Sequence, residues 1–327
     1  MRAVLVEQQS EGTRLVWGET EPVQISAADE VLVDVKASAV NRADLLQAAG
    51  GYAPPAGASP IIGLEMAGVI RAVGEGVREW QPGDRVCALL PGGGYAEQVV
   101  VPQGMLLKLP DDWSFAQGAA VPEVWLTAFL NLFLEGGLSD GETVLIHAGA
   151  SGVGTAAIQL ARAARARAFV TAGSAAKLAS CRELGAELAI NYKEEDFVEP
   201  VLAATDGQGV HLILDPVGAD YWMRNLKALR WRGRLVMIGL LSGGKAEVNL
   251  GLVLGKMARV IGSTLRNRPV AEKIWITEQF RTRFWPALVA GDLQPIIDTS
   301  FPMAEAQAAH DYVAANRNTG KVILTLA

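Results

Sequence analysis

The chain has 327 residues, of which 50% are hydrophobic and 20% charged, and its formal net charge is -6. Because a single hydrophobic core rarely serves more than about 250–300 residues, this length predicts two domains. The acidic balance disfavours nucleic acid or an anionic membrane surface as a partner. No stretch approaches the roughly 18 apolar residues of a membrane span, and the first apolar run is too short for a signal peptide. We therefore expect a cytoplasmic protein.

The chain has two cysteines, Cys87 and Cys181, and they lie far apart in the sequence. Neither belongs to a CxxC motif or to a His-rich segment, so the spacing indicates neither a disulfide framework nor a cysteine-rich zinc site. We interpret both as free thiols of an intracellular protein.

Residues 1 to about 120 form short alternating runs, such as the one around Val31, Val33 and Val35, separated by turn sequences such as QPGD and PGGG. This pattern is typical of a β-rich domain with a barrel-like or partly open sheet. Residues 41–53 interrupt it with a short helical pattern.

After Pro122 apolar strands alternate with helical segments of about a dozen residues, which predicts βαβ units on a parallel sheet. The predicted strands are residues 143–147, 168–171, 188–191, 211–214, 234–238 and 259–262. Six such strands fit two βαβαβ halves, the dinucleotide-binding plan. From about residue 266 we predict helices over 272–288 and 304–315 and a final strand over 320–326, in a tail that returns to the first domain.

The segment TVLIHAGASGVGTAAIQLARAARA places a strand, a glycine-rich turn and an amphipathic helix in succession. Gly149, Gly152 and Gly154 would let the backbone turn sharply and approach a pyrophosphate at the helix N-terminus. Ser151 stands where the second glycine of G-x-G-x-x-G is expected, and its hydroxyl could bond a phosphate or ribose. A lone glycine pattern is equally compatible with an ordinary tight turn, and the six alternating strands favour the dinucleotide site.

The end of the second predicted strand indicates which dinucleotide binds. An Asp or Glu about 20 residues after the glycine turn would bond the ribose 2′-hydroxyl of NAD, but this chain has Gly173, Ser174 and Lys177 there. A hydroxyl and a cation suit the 2′-phosphate of NADPH instead. Tyr192, just after the third predicted strand, is a further candidate for this side of the cofactor. Lys177 alone could equally be a solvated surface lysine.

Several segments together resemble the medium-chain dehydrogenase/reductases, and within them the zinc-free quinone oxidoreductase branch. They are HAGASGVGTAAIQLA, PGGGYAEQVVVP, PEVWLTAF, INYKEEDF and NRNTGKVIL. The resemblance covers essentially the whole chain and implies an α/β protein, with a Rossmann doubly wound parallel sheet and a GroES-like β-rich catalytic domain. The expected boundaries are residues 1–121 and 266–327 for the catalytic domain and 122–265 for the Rossmann domain.

Zinc-dependent relatives in this family hold a catalytic metal through a Cys, a Gly-His-Glu and a second Cys, and a four-cysteine loop holds a structural zinc. Here the first position is Asn41, the second motif reads Gly63-Leu64-Glu65, the third position falls near Glu123, and the loop cysteines are missing. One or two carboxylates do not replace thiolate and imidazole ligands. We therefore expect no metal and a direct hydride transfer from NADPH to an activated acceptor.

The resemblance also implies site residues. Asn41 and Tyr52 would line a cleft beside the nicotinamide and bond an acceptor oxygen, with Tyr52 a possible proton donor, and Ser151 would touch the nicotinamide side. Either residue could instead be structural, Asn41 as a helix start and Tyr52 as a packing aromatic. The implied cofactor-binding residues are Thr127, Gly149, Ser151, Gly152, Val153, Gly173, Ser174, Lys177, Tyr192, Gly239, Leu240, Leu265 and Asn316.

The leading hypothesis is an NADPH-dependent quinone oxidoreductase acting by one or two electrons. The alternatives are an NADPH-dependent enone or alkene reductase of the same fold, and a non-catalytic NADPH-binding protein such as a crystallin. The segment ARVIGSTL over residues 258–265 would be an edge strand. We expect it to pair with a second copy in a homodimer, as is common in the family.

Overall fold

The computed structural model describes residues 1–10 and 12–326. Its strands, in chain order, are β1 Arg2–Gln9, β2 Gly12–Glu19, β3 Glu30–Val40, β4 Glu65–Val73, β5 Arg85–Leu89, β6 Gln98–Pro102, β7 Leu106–Lys108, β8 Thr143–Ile146, β9 Arg167–Ala172, β10 Leu188–Asn191, β11 Val210–Asp215, β12 Leu229–Met237, β13 Arg259–Gly262, β14 Ile297–Pro302 and β15 Lys321–Thr325. Its helices are α1 Arg42–Ala48, α2 Phe115–Ala119, α3 Pro122–Phe129, α4 Gly152–Ala163, α5 Ala175–Glu183, α6 Val198–Ala203, α7 Trp222–Ala228, α8 Leu250–Lys256, α9 Val270–Arg283, α10 Trp285–Val289 and α11 Ala306–Ala314.

The chain divides into two compact units, residues 1–126 with 266–327 and residues 127–265. Helix α3 crosses the first boundary, so the predicted boundary at 121/122 falls at the start of this helix. None of the helices described above combines the length and the apolar character that crossing a bilayer requires.

The first unit is built on a seven-stranded sheet. Its strand order is β14-β15-β3-β4-β5-β7, with β6 also paired to β3. Strand β3 is antiparallel to both β4 and β15, which brings the C-terminal strand beside the N-terminal ones. Buried residues alternate with partly exposed ones along most of β3, as the period-two pattern around Val33 predicts.

The second unit is a six-stranded sheet in the order β10-β9-β8-β11-β12-β13. Every strand pair in it is parallel, and this confirms the predicted Rossmann sheet. Strand β8 is buried along its whole length, as expected of a strand covered on both faces. The strand order reverses between β8 and β11, and ligands bind at such a switch point in open α/β sheets.

One predicted element is divided. The helix predicted over residues 272–288 is two helices, α9 and α10, with Phe284 between them at φ -126. Pro286 at the start of α10 has no N–H to donate to the preceding turn, and its ring clashes with the carbonyl four residues earlier. The helix therefore stops before it and restarts.

Candidate active site

The carboxyl edge of the parallel sheet gathers most of the predicted cofactor residues. Parallel strands end at the same edge, so the segments that follow them lie near one another. Gly149 to Val153 follow β8, Gly173 to Lys177 follow β9, Tyr192 follows β10, and Gly239 with Leu240 follow β12. The structure thus places these predicted residues on one edge of the second unit.

The glycine turn after β8 is tightly packed against its own helix. A Cβ on Gly154 would lie 2.4 Å from the carbonyl oxygen of Gly149, and one on Gly149 would lie 2.7 Å from Cβ of Val170. Ala148 adopts a left-handed backbone with φ 52, which costs energy for a residue with a side chain. The turn has no room for a side chain at Gly149 or Gly154, and it leads into the N-terminus of α4, where an anion would be favoured.

Ser151 is the N-cap of α4. Its Oγ accepts the backbone N–H of Gly154 at 3.0 Å, a bond that stabilises the helix start. A hydroxyl that accepts one bond can still donate its own hydrogen, so Ser151 remains able to bond an anionic group. The sequence predicted that Ser151 could bond a phosphate or ribose, and it did not predict the helix cap.

The corner between β9 and β10 has the chemistry of a phosphate site. Ser174 caps α5, with its Oγ accepting the N–H of Lys177. A Cβ on Gly173 would lie 2.8 Å from Oη of Tyr192 and 3.1 Å from Cε of Lys193, so both side chains reach this corner. The helix N-terminus, Lys177 and Lys193 together present positive charge at this corner, and the turn at Gly173 and Ser174 has no carboxylate, although residues 194–196 after Lys193 are acidic.

The other predicted cofactor residues, and the two that follow β12, differ in burial and in bonding. The backbone oxygen of Thr127 accepts Nδ2 of Asn131, and Leu265 is buried at the end of the second unit. Gly239 is packed so that a Cβ would lie 2.9 Å from the oxygen of Pro216, while Leu240 is exposed. Asn316, in the first unit, has φ 54, and its Oδ1 accepts a hydrogen bond from Arg42.

Beneath the glycine turn lies a buried polar network centred on His147. Its Nδ1 is 3.0 Å from Oγ1 of Thr171, and its Nε2 is 2.7 Å from Oδ1 of Asn225. Asn225 donates to Oδ2 of Asp215 at 2.9 Å. Burial lowers the pKa of His147 to about 4, so it is neutral at pH 7 and ties the ends of β8, β9 and β11 together.

In the first unit a buried ion pair joins three strands. Nζ of Lys321 lies 2.7 Å from Oε1 of Glu65 and donates to Oδ1 of Asn41 at 2.7 Å. Lys321 begins β15, Glu65 begins β4 and Asn41 follows β3, so the pairing of these strands brings the three together. We call Asn41, Glu65 and Lys321 the ion-pair cluster. Their side chains are almost completely buried.

The amide of Asn41 is bonded inside the protein. Its Nδ2 donates to Oε1 of Glu65 at 2.8 Å and to the oxygen of Ala39 at 3.4 Å, and its Oδ1 accepts from Lys321. Both amide hydrogens have partners in the structure. Contact of Asn41 with an acceptor oxygen stays a prediction.

A second buried carboxyl lies next to the cluster. Asp44 accepts the backbone N–H of Asn41 at 2.8 Å and the phenol of Tyr95 at 3.3 Å, and Tyr95 in turn lies 3.2 Å from Nε2 of His310. Burial raises the pKa of Asp44 to about 7, and the charge of Glu65 adds to the increase.

Tyr52, the predicted proton donor, lies beside Arg266 and Glu123. The guanidinium of Arg266 lies 5.0 Å from the centroid of the Tyr52 ring and donates to Oε1 of Gln47 at 2.6 Å. Within residues 1–10 and 12–326, no group forms a hydrogen bond with the phenol oxygen. Burial and then the charge of Glu123 raise the pKa of Tyr52, so its phenol is neutral and able to donate.

The donor set at the three positions where zinc-dependent relatives have metal ligands does not suit zinc. Asn41 is committed to the ion-pair cluster, Leu64 is a buried hydrocarbon and Glu123 is a single carboxyl. Zinc sites of this kind use thiolate and imidazole ligands. In the part of the chain that is described, no three His, Cys, Asp or Glu side chains are arranged to hold a metal ion.

Sequence reasoning missed four residues of these sites: Asp44, Lys193, Arg266 and Lys321. Lys193 had a readable signal, since it follows Tyr192 directly and adds a second cation to Lys177. Lys321 had none, because it lies 280 residues from Asn41 along the chain.

Comparison with known proteins gives a consistent result. The family model described as "Alcohol dehydrogenase GroES-like domain" matches residues 27–111, and that described as "Zinc-binding dehydrogenase" matches residues 152–279. A quinone oxidoreductase of Pseudomonas aeruginosa is 36% identical over 300 residues, which is 90% of each protein. Phthioceranic/hydroxyphthioceranic acid synthase of Mycobacterium tuberculosis is 32% identical over 338 residues, but the chain spans only 16% of the length of that synthase.

Solved structures agree with the sequence relatives. A quinone oxidoreductase of Pseudomonas syringae has a TM-score of 0.88 at 33% identity, with 100% of both chains covered. The quinone oxidoreductase of Escherichia coli, solved with NADPH, has a TM-score of 0.85 at 31% identity and covers 95% of this chain and 96% of its own. The enoyl reductase CurK has a TM-score of 0.86 at 29% identity, with 99% of both chains covered.

The ion-pair cluster predicts a stability effect. Replacing Lys321 by Met leaves Glu65 as an unpaired buried charge, and breaking a buried pair in this way costs about 3–5 kcal/mol. We expect Lys321→Met to lower the free energy of unfolding of the first unit by that amount in urea denaturation. The double variant Lys321→Met/Glu65→Gln should recover much of the loss, because the unpaired charge is gone.

The exposed pair of Arg71 and Asp34 is the matched control, since both side chains are accessible to water. Arg71→Met should cost no more than about 1 kcal/mol. If Lys321→Met and Arg71→Met lowered the free energy of unfolding equally, the larger contribution expected of the buried pair would be contradicted.

Proposed function

Because the chain belongs to the medium-chain dehydrogenase/reductase family, we propose that it is an NADPH-dependent quinone oxidoreductase that acts without a metal. The observation that carries this proposal is the ion-pair cluster, in which the ammonium of Lys321 satisfies Glu65 and Asn41. Asn41 stands where zinc-dependent relatives have a metal ligand, Glu65 directly follows the second such position, and the polar atoms of both are already bonded. Quinones are electrophilic enough to accept a hydride without a Lewis acid, so the protein has mainly to position them.

The cofactor proposal rests on the edge of the parallel sheet. The bare backbone at Gly149 and Gly154 and the helix start at Ser151 suit a pyrophosphate, while Ser174, Lys177, Tyr192 and Lys193 suit a 2′-phosphate. Bound NADPH would supply a hydride to the acceptor. The solved Escherichia coli relative with NADPH supports this assignment.

The phenol oxygen of Tyr52 has no hydrogen-bond partner among the described residues, so it is a candidate donor to an acceptor. The guanidinium of Arg266 stacks against the Tyr52 ring. It donates to Oε1 of Gln47, and its Nε donates to the backbone oxygen of Pro91 at 2.9 Å. This fixes the phenol on a rigid support. We propose that Tyr52 donates a hydrogen bond to a quinone oxygen and orients the acceptor.

A second candidate is reduction of a conjugated carbonyl such as an enone. The similarity to the enoyl reductase CurK favours it, as does the match to a segment of the mycobacterial synthase. Both acceptors present a carbonyl oxygen to Tyr52 and an electrophilic atom to the hydride. They differ in shape, so a panel of acceptors distinguishes them.

The direct test is NADPH consumption with ortho-quinones, para-quinones and enones, run in parallel with NADH and with EDTA-treated protein. We expect a quinone-dependent reaction that consumes NADPH in preference to NADH. EDTA should leave its rate unchanged, because the proposed reaction uses no metal. Preference for enones would favour the second candidate. Loss of activity in EDTA, or tight NADPH binding without turnover on any acceptor, would contradict the proposal.

The cofactor assignment predicts a selective effect of two lysines. Removing one charge-assisted bond to a phosphate costs about 1.5–3 kcal/mol, which is roughly 10- to 100-fold in affinity. We expect Lys177→Ala and Lys193→Ala each to weaken NADPH binding by that factor and to leave NADH binding nearly unchanged, as measured by calorimetric titration. Lys227→Ala, on an exposed position of α7, is the control. Parallel losses for both dinucleotides would argue against a 2′-phosphate site.

We also propose that the chain forms a homodimer through residues 258–265. Within residues 1–10 and 12–326, strand β13 pairs with β12 alone, and the preceding helix α8 and its end have exposed apolar side chains, namely Leu250, Leu254 and Met257. Pairing of two β13 strands about a two-fold axis would cover both features. We expect Leu254→Asp to shift the sedimentation coefficient from dimer to monomer. Trp275→Asp, at an equally apolar exposed site of α9, should not.

A further inference from the structure

A cavity of about 380 Å³ lies within the first unit, lined by β6, by residues of the segments 57–61 and 89–93, and by the start of α9. A cavity of this volume is large enough for a small organic molecule. Its wall is mainly aliphatic, and the buried side chains that contribute to it are Leu89, Leu90, Val99, Val101 and Met105. The cavity is therefore suited to the apolar part of a ligand.

Close packing fixes the walls of this cavity. A Cβ on Gly92 would lie 2.6 Å from the backbone oxygen of Ser59, so the two loops that line the cavity touch each other. A Cβ on Gly104 would lie 2.8 Å from Cγ2 of Ile274, which brings the first turn of α9 against the segment after β6. Lys273 directly precedes Ile274, and this packing brings it to the cavity wall.

Lys273 is a buried cation whose hydrogen-bonding capacity is only partly filled. The residue is 5% exposed, and its Nζ donates to the backbone oxygen of Arg266 at 2.9 Å. An ammonium has three hydrogens. Within residues 1–10 and 12–326, no second acceptor bonds this ammonium and no carboxylate forms an ion pair with it. Two hydrogens are therefore left for a ligand.

The environment of Lys273 makes its charge costly. Burial lowers the pKa of Lys273, and the charge of Glu123 opposes this shift while that of Arg266 adds to it. An anion in contact with Nζ would offset the cost of burying the ammonium, because opposite charges attract strongly where water is excluded. The site thus favours a ligand with a negative group over an uncharged one.

The other charged groups on the cavity wall are already bonded. Oε2 of Glu30 accepts the backbone N–H groups of Ser26 and Ala27, at 2.8 and 2.9 Å. The amino group of Met1 donates to the backbone oxygen of Thr20 at 3.0 Å. Of the charged side chains that line the cavity, Lys273 is therefore the one that suits an anion.

We propose that this cavity binds a monocarboxylic acid with an apolar chain, of the size of a medium-chain fatty acid. The carboxylate bonds Nζ of Lys273, and the chain contacts the aliphatic wall. An uncharged hydrocarbon would leave the two ammonium hydrogens unfilled, and a dicarboxylate would bring a second charge against hydrocarbon. The inference does not depend on the proposed function, because binding is measured without cofactor or turnover.

The first test is calorimetric titration of the full chain with butanoate, hexanoate and octanoate, and with octanol as the uncharged analogue. Burial of each further CH₂ contributes about fourfold in affinity, so binding should tighten by that factor for every CH₂ added along the series. Octanol has the same chain without the anion. It should bind roughly 10- to 100-fold more weakly than octanoate, since one charge-assisted bond is lost.

The second test uses variants of the cavity wall. Lys273→Met keeps an unbranched apolar stem without the charge, and it should weaken octanoate by the same roughly 10- to 100-fold while leaving octanol unchanged. Lys108→Met, at an exposed position of β7 outside the cavity, is the matched control and should bind octanoate as the wild type does. Ala58→Phe places a ring at a half-buried position of the wall, so it should weaken octanoate and octanol alike.

Tyr52 does not line this cavity, so Tyr52→Phe should bind octanoate as the wild type does. If Lys273→Met does not fold, Ala58→Phe and the comparison of octanoate with octanol on the wild-type protein test the same site. Four results would overturn the inference: no binding of octanoate, equal affinity for octanoate and octanol, equal binding of octanoate by Lys273→Met and Lys108→Met, or weaker binding in Tyr52→Phe but not in Ala58→Phe.

Discussion

The ion pair between Lys321 and Glu65 is the interaction on which the rest of the first unit depends. One oxygen of Glu65 binds Lys321 and Asn41, and the other accepts the N–H of Glu123. The pair therefore fixes the end of β3, the start of β15 and the start of α3 at one point. A buried charge pair is stable only when its remaining hydrogen-bonding capacity is filled, and Asn41 and the backbone of Glu123 and Val40 fill it.

The second unit relies on uncharged groups rather than on a buried ion pair. Its ligand edge is made of backbone and helix termini, and the side chains that contribute, such as Ser151 and Ser174, act first as helix caps. A buried neutral network around His147 holds the strand ends in place without adding charge. An anionic ligand at this edge would therefore meet amides, hydroxyls and lysines. The acidic groups with raised pKa values around Glu123 belong to the other unit.

The sequence was sufficient for the parallel sheet because its signals are local. Each strand is a short apolar run next to its own helix, and the glycine turn lies between β8 and α4 within a few residues. The ion-pair cluster was not predictable in this way. Asn41, Glu65 and Lys321 are brought together by antiparallel pairing of strands that are distant in the chain, and nothing in a lone Lys near the C-terminus indicates burial. For the same reason the sequence did not predict that the amide of Asn41 is bonded to Glu65 and Lys321.

The pairing of Lys321 with Glu65 has a chemical consequence for the neighbouring carboxyls. Lys321 can satisfy only one carboxylate at close range, and Glu65 takes that position. Asp44 and Glu123 are then left near a formal negative charge with no cation in contact, and burial raises the pKa of both. Burial is the larger cause of both shifts, and the charge that Glu65 keeps in its pair with Lys321 adds to them. The ion pair that holds the strands of the first unit together thus also affects the charge states of the carboxyls packed around it.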